Sequence, residues 1–278
     1  MRYAQREVNL HTHTKLCRHG KGMPADYLKS AEEGGNIRVL GFSEHVPLPD
    51  PRYPEERLSF DELPLYVSSV RELESDTIRV LLGMECDWES AFASFYRDKV
   101  LGEWGCDYII GSVHYLPDSD GIMKYVGKPG NRGLFSLSFY VSLYTDMLSS
   151  GLFLYGCHPD LFFSVFPEWN AETKAASKDI IAAAKDNGMP LEINGNGFRK
   201  KKMVLPDGNE RFLYPVREFW ERARDEGIKI VTASDAHRSD WVDGWREAED
   251  FASPLGIRWA EYELGGDEKI AIVHPDED

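Results

Sequence analysis

Seven of the eight histidines obey one positional rule. His11 and His13 close the first short apolar run of the chain, His45 follows the second, His114 the fourth and His158 the fifth. Asp235 and His237 follow the seventh, Glu85 ends the third, and His19 lies in the loop after the first. Only His274, near the C-terminus, stands apart. His11 and His13 are separated by one residue, as are Asp235 and His237. On an extended strand, residues i and i+2 face the same way, so both members of each pair can point to one place. A lone histidine at a strand end is more often an ordinary hydrogen-bonded residue than a ligand, but a set of this size is not explained that way. Imidazole and carboxylate together suit zinc, iron or manganese better than calcium or magnesium. Seven histidines and two acids exceed the roughly four to six positions around one ion. They fit two or three divalent ions sharing a carboxylate. Such sites activate water and hold both sides of an in-line displacement at phosphorus.

The elements that must bring these residues together are short and alternate in kind. Apolar runs at Val8–Leu10, Val39–Phe42, Val80–Met84, Tyr108–Val113, Phe153–Gly156, Leu191–Asn194 and Ile228–Ala233 read as buried strands. Between them, Pro24–Gly34, Phe60–Glu74, Leu134–Ser149, Thr173–Asn187 and Tyr214–Glu226 carry helical spacing. Asn187-Gly188 and Gly227 are good helix stops. Alternation of this kind implies parallel βα units and one α/β barrel. In such a barrel all strand C-termini share one face, where the active site sits. Residues from 11 to 237 can then converge. Two longer loops, Pro47–Ser59 and Pro117–Gly133, are expected to cover that face. The domain is expected over residues 1–264, with residues 265–278 an acidic tail of marginal order.

The bulk composition narrows the partners. Net charge is −15, from 32 basic and 47 acidic side chains, which speaks against nucleic acid as a partner. A small phosphorylated substrate is compatible, because bound metals reverse the local field. The four cysteines, Cys17, Cys86, Cys106 and Cys157, form no CxxC pair and read as reduced thiols. Strand alternation should turn Cys86 away from Glu85 and Cys157 away from His158, leaving both as buried packers. Neither a leader peptide nor a membrane span is legible, so a cytoplasmic protein without membrane contact is expected.

At these residues the sequence resembles the polymerase-and-histidinol-phosphatase family of metal-dependent phosphoesterases. The carrying motifs are His11-Thr-His13, Ser43-Glu-His45, Gly83-Met-Glu85, Gly111-Ser-Val-His114, His158-Pro-Asp160 and Ser234-Asp-Ala-His237. Within that family the stand-alone histidinol-phosphatases are most similar, through Cys17-Arg-His19, Gly41-Phe-Ser-Glu-His45-Val-Pro47 and Glu192-Ile-Asn-Gly-Asn-Gly-Phe-Arg199-Lys. The resemblance implies a distorted (βα)7 TIM-like barrel with a trinuclear centre. By position it assigns one metal to His11, His13, Glu85 and Asp235, and a second to Glu85, His114 and His158. A third falls to His19, His45 and His237. It implies catalytic roles for Asp235, His237 and Arg199, with Arg199 holding the substrate phosphate, for which a planar guanidinium is well suited. One departure stands out. No basic residue follows the His158-Pro-Asp160 motif, where the run is Leu161-Phe-Phe-Ser-Val-Phe166. Arg18, Lys124 or Arg132 would have to supply a second phosphate contact. Asp160 and Glu44 are candidates for orienting His158 or His45.

The expected reaction is hydrolysis of a phosphate monoester, with histidinol phosphate the leading substrate. Other small phosphate esters, phosphotyrosine, a nuclease activity, and a metal-binding module without catalysis are the rivals. The charge argues against the nuclease, and the complete ligand set argues against an inert module.

Overall fold

The computed structural model describes residues 1–50, 52–205, 208–265 and 270–274. Its strands are β1 (Arg2–Tyr3), β2 (Val8–Asn9), β3 (Val39–His45), β4 (Arg79–Asp87), β5 (Tyr108–Ser112), β6 (Tyr115–Pro117) and β7 (Met123–Tyr125). They continue as β8 (Leu191–Asn194), β9 (Met203–Val204), β10 (Glu210–Arg211), β11 (Ile230–Ala233), β12 (Glu261–Leu264) and β13 (Ile270–Val273). The helices are α1 (Pro24–Gly34), α2 (Leu63–Arg71), α3 (Ala93–Phe95), α4 (Leu137–Ser149), α5 (Ala171–Asp186), α6 (Arg217–Asp225) and α7 (Trp245–Ala252). None of the described helices is long and apolar enough to cross a membrane.

The centre is a curled parallel sheet. β2, β3, β4 and β5 pair in that order, and β8 pairs with β11, all in parallel. Single parallel bridges join these ladders: Gly111 to Gly156, Gly156 to Leu191, and Thr12 to Ala236. The expected strand at 153–156 is irregular, with one bridging residue, Gly156, and further bonds from Leu154, Tyr155 and Cys157 to β5.

Alternation along β4 shows how the sequence builds two cores and a site. Leu81 points inward, to a cluster with Val39, Tyr108, Ile110, Tyr155 and Val231. Leu82, Met84 and Cys86 point outward, against the helices. Position 83 faces inward and must be glycine. A Cβ there would sit 2.4 Å from Cζ of Tyr108, and one at Gly41 would sit 2.2 Å from its hydroxyl. The Tyr108 ring fills that space and donates to Leu10 O at 2.7 Å. It forms a floor, and the next inward residue on β4 is Glu85.

Helix boundaries follow local chemistry. Asn170 caps α5 by accepting from the amides of Glu172 and Thr173, and Ser136 caps α4 by accepting from Phe139 N. Each cap is worth about 1 kcal/mol. The α2 helix is shorter than expected, with a separate 3-10 turn at Phe60–Glu62. The segment from Ala93 continues as a π-helix over Tyr96–Glu103, which the sequence reading did not anticipate, nor did it anticipate α7. Within the expected 117–133 loop lie β7 and a 3-10 turn, with β6 paired antiparallel to β7. The expected marginal tail is corrected at residues 270–273. These form β13, which pairs with β12, itself paired with β1, and Ile272 is buried against the inner core. The rest of the expected tail, 266–269 and 275–278, lies outside the described residues.

Candidate metal centre

The bridge between Thr12 and Ala236 assembles the first donors. His13 N donates to Ala236 O at 2.9 Å and Ala236 N to His11 O at 3.3 Å. The flanking pairs, His11/His13 and Asp235/His237, are thereby brought side by side. The β3–β4 register sets His45 beside Glu85. His11 Nε2 lies 3.4 Å from Glu85 Oε2 and 3.6 Å from Asp235 Oδ1. His13 Nε2 lies 3.4 and 3.2 Å from the same two oxygens. Four ligand atoms about 2.1 Å from one tetrahedral ion would stand about 3.4 Å apart. The other oxygen, Glu85 Oε1, is 3.1 Å from His158 Nε2 and 3.5 Å from His114 Nε2. Glu85 thus faces two donor groups, one with each oxygen.

The third expected group, His19, His45 and His237, is close in space but divided. Ring centres of His19 and His237 are 4.7 Å apart, and those of His19 and His45 are 5.4 Å apart. The donor atoms of His13, His45 and His237 lie within 4.8 Å of one another, while His19 groups with Cys17 and His237. Cys17 is engaged as a thiol in this structure. Its Sγ donates to Thr14 O at 3.1 Å, and burial pushes the thiol up.

Whether this cluster fits a metal can be judged from its unmet bonds. His11 Nε2, His13 Nε2, Glu85 Oε2 and Asp235 Oδ1 are all buried without a hydrogen-bond partner. Such orphans are rare in folded proteins. Here they are the four converging atoms, and a divalent cation would satisfy all of them. The electrostatics agree. Burial alone would raise the carboxyls of Glu85 and Asp235, but the surrounding imidazoles outweigh it and hold both well below the usual range. Burial also lowers His237 and His19 to about 4, whereas at His11 the carboxylates of Glu192, Asp235 and Glu85 outweigh burial and raise it. His158 and Asp235 have positive φ, 31° and 45°. Such backbone is costly for non-glycine residues and gathers at functional sites.

Two acids orient the donors. Glu192 Oε1 takes His11 Nδ1–H at 2.7 Å, turning Nε2 to the cluster, and Glu192 Oε2 accepts from His158 N at 3.2 Å. Asp87 Oδ1 takes His114 Nδ1–H at 2.9 Å, and Asp87 Oδ2 accepts from buried Arg57 at 3.0 Å. Burial alone would lower His114, but Asp87 and Glu85 override it and push it up to about 9. The sequence reading gave this orienting role to Glu44 and Asp160, and the structure corrects both. Glu44 accepts from Thr14 N. Asp160 accepts from Val216 N and Trp220 Nε1, anchoring the start of α6. Asp87 could have been found, since it follows Glu85 by two on the same strand face. Cys157 also departs from expectation. Cys86 does face the outer core, but Cys157 joins the inner one, within 4.8 Å of donor atoms of His11 and Glu192. Its segment is not a regular strand, and the positive φ of His158 breaks the alternation.

A cavity of about 440 Å³ opens above the cluster. It is lined by His19, His45, Glu85, His114, His158, Asp235 and His237, and by Arg199 and Lys200. His11 and His13 lie beneath, with no exposed surface. Arg199 is held by its own backbone surroundings, donating to Gly195 O at 3.0 Å and Ser234 O at 3.2 Å. Arg18 is not among the lining residues. Its guanidinium is spent on a bidentate pair with Glu62, at 2.7 and 2.5 Å. Arg132 pairs with Glu168, and Lys124 sits on β7, neither lining the cavity. The sequence reading also missed Tyr115, Tyr125, Tyr214 and Asn196 in the wall, along with Glu56, Arg57, Asp87 and Trp241.

A family model described as the PHP domain matches residues 9–196, the stretch holding most of these donors. The chain belongs to the PHP domain family. Among PHP relatives, a probable histidinol-phosphatase of Deinococcus radiodurans is 31% identical over 250 residues, covering 86% of this chain and 89% of that protein. The histidinol-phosphatase of Bacillus subtilis is 25% identical over 261 residues, covering 82% and 92%. In fold, the PHP chain is similar to a histidinol phosphate phosphatase of Lactococcus lactis, solved with zinc, L-histidinol and phosphate. The TM-score is 0.67 at 18% identity, covering 96% of this chain and 99% of that one.

Proposed function

We propose that this protein is a histidinol-phosphatase, hydrolysing L-histidinol phosphate with water to L-histidinol and inorganic phosphate, in the cytoplasm, as part of histidine biosynthesis. The observation that carries the reading is the set of four buried, unpartnered donors beneath a cavity walled by Arg199, in a chain whose relatives bear that name. We take the curled sheet and its bridges as a distorted (βα)7 barrel, and the donors as ligands of two to three ions of zinc, iron or manganese. His11, His13, Glu85 and Asp235 would hold one ion, and Glu85, His114 and His158 a second. His45 and His237 would hold the third, with His13 or His19 completing it.

Bound metal supplies activation of water and neutralises charge on the phosphoryl group. The chain's own residues do the rest. Arg199, fixed at the wall by its bonds to Gly195 O, Ser234 O and Trp241 O, would face the phosphate and stabilise charge that grows on its oxygens. Glu192 and Asp87 fix the tautomers of His11 and His114, each accepting at Nδ1. Asn196 Nδ2 donates to Asp235 Oδ2 at 3.2 Å, fixing that carboxylate and leaving Oδ1 for the cluster. The deep placement of the donors keeps bulk water from screening them.

The test is phosphate release from histidinol phosphate beside a panel of other phosphate esters, after loading with zinc, manganese or iron. Selective turnover of histidinol phosphate supports the reading. Turnover of the panel without that preference removes the named substrate and keeps the phosphatase.

A further inference from the structure

Four carboxylates line the central cavity: Glu56, Glu85, Asp87 and Asp235. Three are committed. Glu85 and Asp235 face the imidazole donors, and Asp87 is held by Arg57 and His114. Glu56 is the exception. Among the described residues no group bonds its carboxylate, and it is exposed at the rim. Its base is nonetheless rigid. It ends a 3-10 turn, Pro54–Glu56, that begins with proline. The next residue, Arg57, is buried and donates to Val46 O at 3.0 Å and to Asp87. The turn is thus pinned to the residue that orients His114. Glu55, on the same turn, does not line the cavity.

The cavity is also polarised. Glu56 follows β3, and its charged surroundings are Glu55, His114, Arg57 and Asp87. Arg199 and Lys200 follow β8, and the charges around Arg199 are Glu247, Asp235 and Asp240. The two groups share no member. Around the curled sheet, β3 and β8 are separated by β4, β5 and Gly156 in one direction and by β2 and β11 in the other. The cations and the free acid therefore rise from opposite sides, with the metal donors between them.

We propose that Glu56 binds a cationic amine on the alcohol part of the substrate, so that the cavity selects aminoalkyl phosphate monoesters, phosphate toward Arg199 and Lys200 and ammonium toward Glu56. This inference rests on the phosphate monoesterase reading above. An ammonium drawn from water into the cavity needs a charged partner there, and a carboxylate on a fixed turn supplies one. Tyr115 and Tyr125 line the same wall, and aromatic rings near an ammonium favour it as well.

The test compares paired esters that differ only in the amine: histidinol phosphate against its deamino analogue, and 2-aminoethyl phosphate against ethyl phosphate. The native chain should favour the amine of each pair in kcat/KM by about tenfold or more, the range of one hydrogen-bonded charge pair. Glu56→Gln should cut that ratio about tenfold, through a higher KM for the amine ester, and Glu55→Gln should leave the ratio as it is. A ratio unchanged in Glu56→Gln, or a native chain that hydrolyses both members equally, overturns the inference while the phosphatase reading stands. If histidinol phosphate is not hydrolysed, the named substrate falls, and the aminoethyl pair alone decides the role of Glu56.

Discussion

The floor of the site and its rim are built by opposite means. On the floor, His11, His13, Glu85 and Asp235 are each fixed by a strand, a bridge or a neighbouring carboxylate, and none is more than slightly exposed. At the rim, Arg199 and Lys200 sit at the end of the 3-10 turn after β8, and Glu56 sits on the turn Pro54–Glu56, so turns rather than strand ladders place them. The floor is held by strand ladders and the rim by turns. Reaction type should then reside in the floor and substrate choice in the rim.

The contrast is most sharply tested on the floor. Asp235→Asn keeps shape but removes a donor charge, and should lower kcat by about a thousandfold or more while the thermal melt stays near native. Activity within tenfold of native would show that Asp235 is not a ligand. A lesser loss is expected one step outward. Asp87→Asn leaves His114 in place but frees its tautomer, and should weaken metal affinity about 10- to 100-fold, read by competition with a chelator. Unchanged affinity would sever the link between Asp87 and the metal centre.

How much of this was legible follows the same division. His11, His13, His45, Glu85 and His114 could be placed because each sits at or just past a strand end, where period-two alternation sets direction, whereas His158 follows a single bridge and has a positive φ. Glu192 and Asp87 obey the same alternation, but orienting acids give no motif of their own. Arg18 was misread because its direction is set by an αL backbone, φ 76°, and by Glu62, 44 residues away. The expected strand at 153–156 failed for a related reason. An apolar run specifies burial, while a regular ladder depends on both neighbours: this run bonds to β5 through Leu154, Tyr155 and Cys157 but meets the β8 side through Gly156 alone. The tail failed in the other direction: its acidic composition hid the strand Ile270–Val273, which is held by β12.

Smaller effects should come from the supports. Gly83→Ala would drive a Cβ into the Tyr108 ring and should cost about 1–3 kcal/mol of stability, measured by urea unfolding. A native midpoint would mean that the floor yields easily. Least of all, Arg18→Ala should change kcat/KM less than about twofold, since Arg18 is spent on Glu62. Its mark should be on pH dependence. The Arg18 hydrogen bond lowers the Glu62 carboxyl to about 2 from its ordinary 4.5. Glu62 is ionised in both folded and unfolded chains above 4.5, so the pair's full contribution is present there. It is lost as pH falls from 4.5 through 2. The small difference in melting temperature between native and Arg18→Ala should therefore shrink across that window. A difference that grows on acidification would contradict the pairing.

The central claim is that the buried donors form one multi-metal floor for phosphate ester hydrolysis. It is tested most directly by counting metal ions per chain in the native protein and in Asp235→Asn, with phosphate release from histidinol phosphate measured on the same samples. Two to three ions in the native chain, at least one fewer in the variant, and loss of turnover with that ion is the predicted result. A native chain that releases phosphate with no bound metal, or a variant that keeps both its metal and its turnover, would contradict the account.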